Sequence, residues 1–181
     1  SDADLELVVV DTQIKHAHST GGYRDRREAC ERAARLLGVP ALRDLSIDDL
    51  PQAAELLDDV TFRRVRHVVT ENQRVLDTVD ALTQRGPRAI AGLLQASHAS
   101  MRDDFEISVP ELDMAVELTM THGAVGARMT GGGFGGAAIA LVGNGQLSAV
   151  SDALRRGFAS AGFKEPAIFT VSPSEGARRD R

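Results

Sequence analysis

The chain has 181 residues, 43% of them hydrophobic, and 26 acidic against 21 basic side chains give it a net charge of −5. That supplies one core of ordinary domain size, and the acidic balance argues against a nucleic-acid surface, which needs Lys and Arg clustered on one face. A single cysteine, Cys30, excludes an intramolecular disulfide, and with no signal-peptide pattern or run of about 18 apolar residues the chain reads as cytoplasmic, with no membrane partner.

Residues 5–10 form a short β-branched run bounded by Asp11, which predicts a strand. Residues 23–37 place Ala29, Cys30, Ala33, Ala34 and Leu37 at helical spacing, and Gly38-Val39-Pro40 ends that helix. Its stretch RDRREACERAAR interleaves both signs of charge, the pattern of solvated helix faces. Residues 47–57 read as one or two short helical pieces interrupted by Pro51. Phe62, Val65, Val69, Val75, Leu76, Val79 and Leu82 then outline a long helix that stops at Gly86-Pro87. The pattern continues over 88–101 through Ile90, Leu93, Leu94 and Ser97, and Pro110 opens a further helix carrying Leu112, Ala115, Val116 and Leu118.

The most informative stretch is GARMTGGGFGGAAIALV, residues 126–142, in which Gly131, Gly132, Gly133, Gly135 and Gly136 surround Phe134. Glycine is costly to order, so such a cluster marks a backbone that side chains would obstruct. Two readings fit: a tight turn permitting close packing, or a loop presenting N–H groups to an anion. Gly131, Gly133 and Gly136 satisfy G-x-G-x-x-G, but that fingerprint requires a helix next. Residues 137–142 are instead an apolar run closed by Gly143-Asn144-Gly145, which predicts a buried strand. A dinucleotide fold is therefore disfavoured, and a Walker loop fails because no Lys-Ser or Lys-Thr closes the glycines. Residues 147–161 read as a helix with Val150, Leu154 and Phe158 on one face, 167–171 as a last strand, and 172–181 as a loose tail. Helices outnumber the strands they separate. The pattern predicts an α+β fold in which one small, mostly antiparallel sheet is covered by helices on one side.

Four ordered blocks resemble a known family, the GHMP small-molecule kinases, and within it the galactokinase branch. GARMTGGGFGG resembles the third, glycine-rich motif. DTQIKHAHSTGGYRDRREACE, residues 11–31, resembles the segment with His, a small-residue turn, Tyr and an Arg-Arg pair opening a helix with Cys. SHASMRDDFEISVPELD, residues 97–113, is similar to S-H-x-S-[LM]-R-D-[DL]-[YF]-x-[VI]-S-x-P-E-[LI]-D, and RRVRHVV, residues 63–69, adds a fourth block. The family's Gly-Glu-His-x-Asp signature, its Pro-x-Gly-x-Gly-Leu-Ser-Ser-Ser phosphate loop and its aspartate base do not occur here. The resemblance therefore implies a C-terminal portion: a ferredoxin-like domain over 1–171, with 1–15 at the junction to a missing N-terminal domain, and the tail 172–181.

It also implies an activity, the ATP-dependent phosphorylation of D-galactose to galactose 1-phosphate. The missing domain would bring the ATP pocket, the Mg²⁺ ligands and the base, so no catalytic residue or metal ligand is expected in this chain. No ATP or Mg²⁺ is expected on the portion alone. Phosphoryl transfer rests mainly on positioning and charge stabilisation. The resemblance places the loop Gly131–Gly136 beside sugar and phosphates, where its N–H groups would either cradle anionic oxygens or hold the other loop in shape. Tyr23 matches the tyrosine set against the sugar; by its own pattern it is also an amphipathic residue at a helix start. Lys15 stands where the family commonly has arginine and either faces the transferring phosphate or is an exposed lysine at a strand end. Relatives that sense sugar and nucleotide without catalysis, or that phosphorylate N-acetylgalactosamine or another small alcohol, are the alternatives.

Other polar residues read as structural. His16 and His18 alternate without a third ligand, which disfavours zinc, and His67, His98 and His122 are dispersed. Asp103-Asp104 caps or solvates a turn rather than holding a metal, Cys30 is a buried small hydrophobe, and Arg128 orients the loop through backbone carbonyls or neutralises a carboxylate.

Overall fold

A computed structural model describes residues 4–14, 19–174 and 176. The chain begins on β1 (Leu5–Asp11) and then runs through helices: α1 (Ser19–Leu36), α2 (Leu50–Leu56), α3 (Asp59–Arg85), α4 (Ala91–Asp103) and α5 (Pro110–Thr121). Short 3₁₀ turns at Leu42–Asp44, Ile47–Asp49 and Pro87–Ile90 link them. β2 (Ala124–Thr130), β3 (Ala137–Gly143), α6 (Leu147–Ala161) and β4 (Ala167–Val171) complete the fold.

The sheet has the order β2-β3-β1-β4, with every neighbouring pair antiparallel. With α5 joining β1 to β2 and α6 joining β3 to β4, this is the ferredoxin-like βαββαβ arrangement, into which α1–α4 are inserted after β1. Val8 and Val10 alternate inward on the central strand and meet Ala138, Ala140 and Val142 of β3. Leu112, Ala115 and Val116 of α5 and Val150, Leu154 and Phe158 of α6 cover that face. Leu112, Val150, Leu154 and Phe158 are fully buried. A second core lies among α1, α2 and α3, built on Ala33, Ala34, Leu42, Ala53, Leu57, Val65 and Val69.

Local signals set the ends of these elements. The Asp58 carboxylate accepts the Thr61 N–H at 2.9 Å and caps α3, satisfying a donor that has no partner within the helix. Gly86 and Gly162 end α3 and α6 at φ 81° and 72°, and Pro51 and Pro110 sit in first turns, where their missing N–H costs nothing.

Two details depart from the sequence reading, and a third goes beyond it. β2 was not among the predicted strands: Gly126 and Arg128 interrupt its apolar run, and it is a strand because β3 pairs with it, through an irregularity between Ala124 and Gly126. Helix α1 starts at Ser19, so Tyr23 lies in its second turn and not at its start. Val75, Leu76, Val79 and Leu82 do lie on the long helix, but they are exposed and outside both cores.

Candidate functional site

Loop 131–136 joins β2 to β3, and all its residues except Gly132 have φ between 60° and 131°. Glycine is required most plainly at Gly133. It combines φ 87° with an approach to Ile107 so close that an added Cβ would strike the carbonyl oxygen. Phe134 adopts φ 60° despite its side chain and is held there by its N–H, which donates to the Ile107 carbonyl at 2.7 Å. At the far end of the loop, the Thr12 N–H and hydroxyl both donate to the Gly136 carbonyl, at 3.0 and 2.6 Å. The N–H groups of Gly132, Gly133 and Gly135 have no hydrogen-bond partner among the described residues.

Helix α1 closes the other side. Its Gly22 faces the Phe134 ring, which a Cβ would strike. The Tyr23 ring meets Phe134 edge to face, with centroids 5.7 Å apart and planes at 75°. A Cβ at Gly132 would collide with the Tyr23 phenol, yet Tyr23 remains 44% exposed. The structure thus brings Tyr23 and the glycine loop, far apart in sequence, to one surface, where the exposed Gly132 with its unpartnered N–H lies beside the phenol O–H, while Gly133 and Gly135 are buried. Such a set suits hydroxyls and anionic oxygens. Lys15 lies outside the described residues.

The segment 103–109 forms the back of this surface, and four arginines grip its first half. Arg63 donates to the Asp103 carbonyl at 2.8 Å and pairs with Glu106 at 3.3 Å. Arg64, itself buried, donates to the Asp104 carbonyl and to the Glu106 carboxylate. Arg66 pairs with the Asp104 carboxylate. Arg26, from α1, donates through Nε to the Phe105 carbonyl and through Nη2 to the Glu106 carbonyl at 2.9 Å. Arg64 first, and then Arg63, hold the Glu106 carboxyl below its ordinary range, and the Glu106 backbone lies at φ 52°. Asp103 and Asp104 therefore part company: Asp103 pairs with Arg102 at 2.7 Å, whereas Asp104 is buried against Arg66 and Ser100.

The buried histidines belong to the same scaffold. His67 stacks on Phe105 with centroids 4.4 Å apart, and its Nδ1 lies 2.9 Å from the Ser100 hydroxyl. Since Ser100 donates its proton to Asp104 at 3.2 Å, Nδ1 of His67 is assigned as the donor to Ser100. Burial depresses its pKa to about 4. His98 accepts the Met129 N–H on the free edge of β2 at 3.3 Å, and its Nε2 lies 3.2 Å from the Asp113 carboxylate but poorly aligned for a hydrogen bond. Burial lowers its pKa as well. Arg128 donates to the Met129 carbonyl at 2.8 Å and lies 3.4 Å from Glu71, so it meets a carboxylate and a backbone carbonyl, the latter in β2 and not in the loop. Cys30 is only half-buried, its thiol pushed up by desolvation. Among the described residues, no three His, Cys, Asp or Glu side chains are grouped to hold a metal ion, and no helix is long and apolar enough to cross a membrane.

Sequence reasoning singled out Tyr23 and the loop but missed Arg26, Glu106 and Ile107. The unusual signal was available only as the run of arginines in RRVRHVV beside the acids of RDDFE.

Residues 78–160 match the family described as GHMP kinases C terminal. The galactokinase of Streptomyces coelicolor is 53% identical over 97% of this chain and 46% of its own length, and that of Mycobacterium tuberculosis is 45% identical over 98% of this chain and 49% of its own. The stretch 78–160 belongs to the GHMP kinases. The chain spans about half the length of the curated relatives it matches. Lactococcus lactis galactokinase, solved in complex with galactose, superposes with a TM-score of 0.87 at 30% identity, over 94% of this chain and 45% of that one. Mevalonate kinase of L. major, at 24% identity and a TM-score of 0.53, shares the fold. Membership of the family accords with the antiparallel sheet and with the glycine loop at the β2–β3 turn.

Proposed function

We propose that this chain is the C-terminal portion of a galactokinase, and that the intact enzyme transfers the γ-phosphoryl group of ATP to the anomeric hydroxyl of D-galactose in the cytoplasm. The observation that carries the reading is the meeting of Tyr23 with loop 131–136, in a chain 45–53% identical to galactokinases over nearly its whole length. In this reading residues 1–171 are the C-terminal domain and 172–181 its tail. The N-terminal domain brings the ATP pocket, the Mg²⁺ ligands and the aspartate base. ATP and Mg²⁺ supply the phosphoryl group and the charge neutralisation that its transfer requires.

The residues of this chain form the opposite wall. The Tyr23 hydroxyl bonds a sugar hydroxyl while its ring, braced by Phe134, lies against the apolar face of the pyranose. In this reading the N–H of the exposed Gly132 is the loop donor nearest to hand for phosphate oxygens, and the family pattern, not the fold, makes Lys15 a candidate for the transferring group. Closure against this wall excludes water, which would otherwise compete with the sugar as acceptor. Removing one neutral hydrogen bond of about 1 kcal/mol raises the galactose KM roughly fivefold, so Tyr23→Phe in the intact enzyme is expected to show that KM with kcat nearly kept. An unchanged KM removes Tyr23 from the sugar site. The 181-residue chain by itself is expected to give no galactose 1-phosphate, and turnover by it would overturn the division of labour.

A further inference from the structure

We infer that Arg26 is a positioning residue that sets the Tyr23 ring and the glycine loop in one arrangement. Its guanidinium sits where three parts of the chain converge. Nε and Nη2 reach two consecutive carbonyls, those of Phe105 and Glu106, and Cζ lies 5.8 Å from the centroid of the Phe134 ring. Gly22, Tyr23 and Arg26 are four and three residues apart at most, so they share one face of α1. That face is the one against which Phe134 packs.

The contact has a direction. Arg63 and Arg64 fix Asp103, Asp104 and the Glu106 carboxylate from α3, whereas Arg26 ties the next carbonyls to α1. The residue that follows, Ile107, accepts the Phe134 N–H and abuts Gly133. Arg26 thus acts on the loop twice, through the Ile107 carbonyl and through the face of the Phe134 ring. A planar cation suits this task, since its fixed fork of donors reaches both carbonyls while its charge lies near the ring, whereas an ammonium on a flexible stem is not pre-organised for it. The neighbouring Arg24 and Arg27 do nothing comparable, pairing with Glu28 and Glu31 one turn on in solvent.

The bearing of this clamp on catalysis rests on the galactokinase reading, but its test needs neither sugar nor nucleotide. The chain holds one tyrosine and no tryptophan, so its intrinsic fluorescence reports Tyr23 alone. In Arg26→Ala, the constant for quenching by neutral acrylamide is expected to rise by up to about twofold, the gain left to a ring that is now 44% exposed. Amide exchange at Phe134 is expected to accelerate about tenfold or more, while Val8 and Val10 in the central strand keep their rates. Arg27→Ala, which removes the same charge from the same helix, is expected to alter neither readout.

The inference is overturned if Arg26→Ala behaves as Arg27→Ala does, or if Phe134 exchanges faster only in step with the central strand, which would mark general loosening. Should Arg26→Ala fail to fold, Arg26→Lys serves in its place: a faster Phe134 amide sustains the clamp, and a parental rate refutes it. Failure here leaves the galactokinase reading intact, and an intact protein without galactose kinase activity leaves the clamp intact.

Discussion

The two cores of this molecule are built differently, and the candidate site lies along the seam between them. The sheet core uses large side chains, Phe158, Met129, Leu112 and Leu154, each fully buried under two helices. The helical core uses small ones, Ala33, Ala34 and Ala53 among a few valines and leucines, which let α1, α2 and α3 approach closely. The seam is neither. Arg26, Arg63, Arg64, Arg66, Asp104 and Glu106 fill it with charge, and their partners are as often backbone carbonyls as carboxylates. Apolar packing makes each unit stable, and directional polar contacts fix one unit against the other. Only the second kind can place a phenol beside a particular glycine.

The contrast can be broken at its strongest point first. Phe158→Ala in the sheet core is expected to cost about 3–5 kcal/mol, as for other buried aromatic truncations, measured by denaturant unfolding of the chain. Acid comes next and tests the seam. His67 titrates at about 4 in the fold against about 6.5 unfolded, so above pH 6.5 neither state is protonated and stability is full. As pH falls from 6.5 toward 4 only the unfolded chain takes up the proton, and stability drops by at most about 3 kcal/mol. The His98 shift acts in the same direction. His67→Gln is expected to flatten the slope of unfolding free energy against pH over that window, and an unchanged slope would remove His67 from it.

A smaller effect sharpens the comparison of cores. Val65→Ala in the helical core is expected to cost about 2 kcal/mol, less than Phe158→Ala because two methyl groups leave a smaller cavity. Smallest of all is Val79→Ser, on the exposed stripe of α3, expected to shift stability by no more than about 0.5 kcal/mol. A larger loss there would mean that the stripe is covered in solution.

Much of this architecture was legible in the sequence because it depends on spacing along one element. The periodicity of α3, the apolar run of β3 and the glycines between β2 and β3 are properties of neighbouring residues. The same periodicity placed Val75 and Val79 on the helix but said nothing of their burial, since a stripe reveals that a helix has an apolar side but not whether anything packs on it. β2 was illegible because its strand character comes from its partner. Arg26 was hidden in a segment whose other charges, Arg24, Glu28, Arg27 and Glu31, do pair in solvent as their interleaving suggests. Nothing within that string distinguishes the one arginine whose partners are the carbonyls of Phe105 and Glu106. The family blocks did locate Tyr23 and the loop, but the reason they meet is a contact between residues far apart in sequence.

The position of β1 has a consequence for how the molecule comes into being. This strand lies between β3 and β4, with Val9 opposite both Ile139 and Phe169, so its neighbours are synthesised long after it. Contacts this distant are slow to close. An elongating chain can pack α1, α2 and α3 from what it has already made, but it must carry an unpaired apolar strand until β3 and β4 have emerged. The seam therefore joins late, since the glycine loop can meet Tyr23 only after β2 and β3, which flank it, have been made.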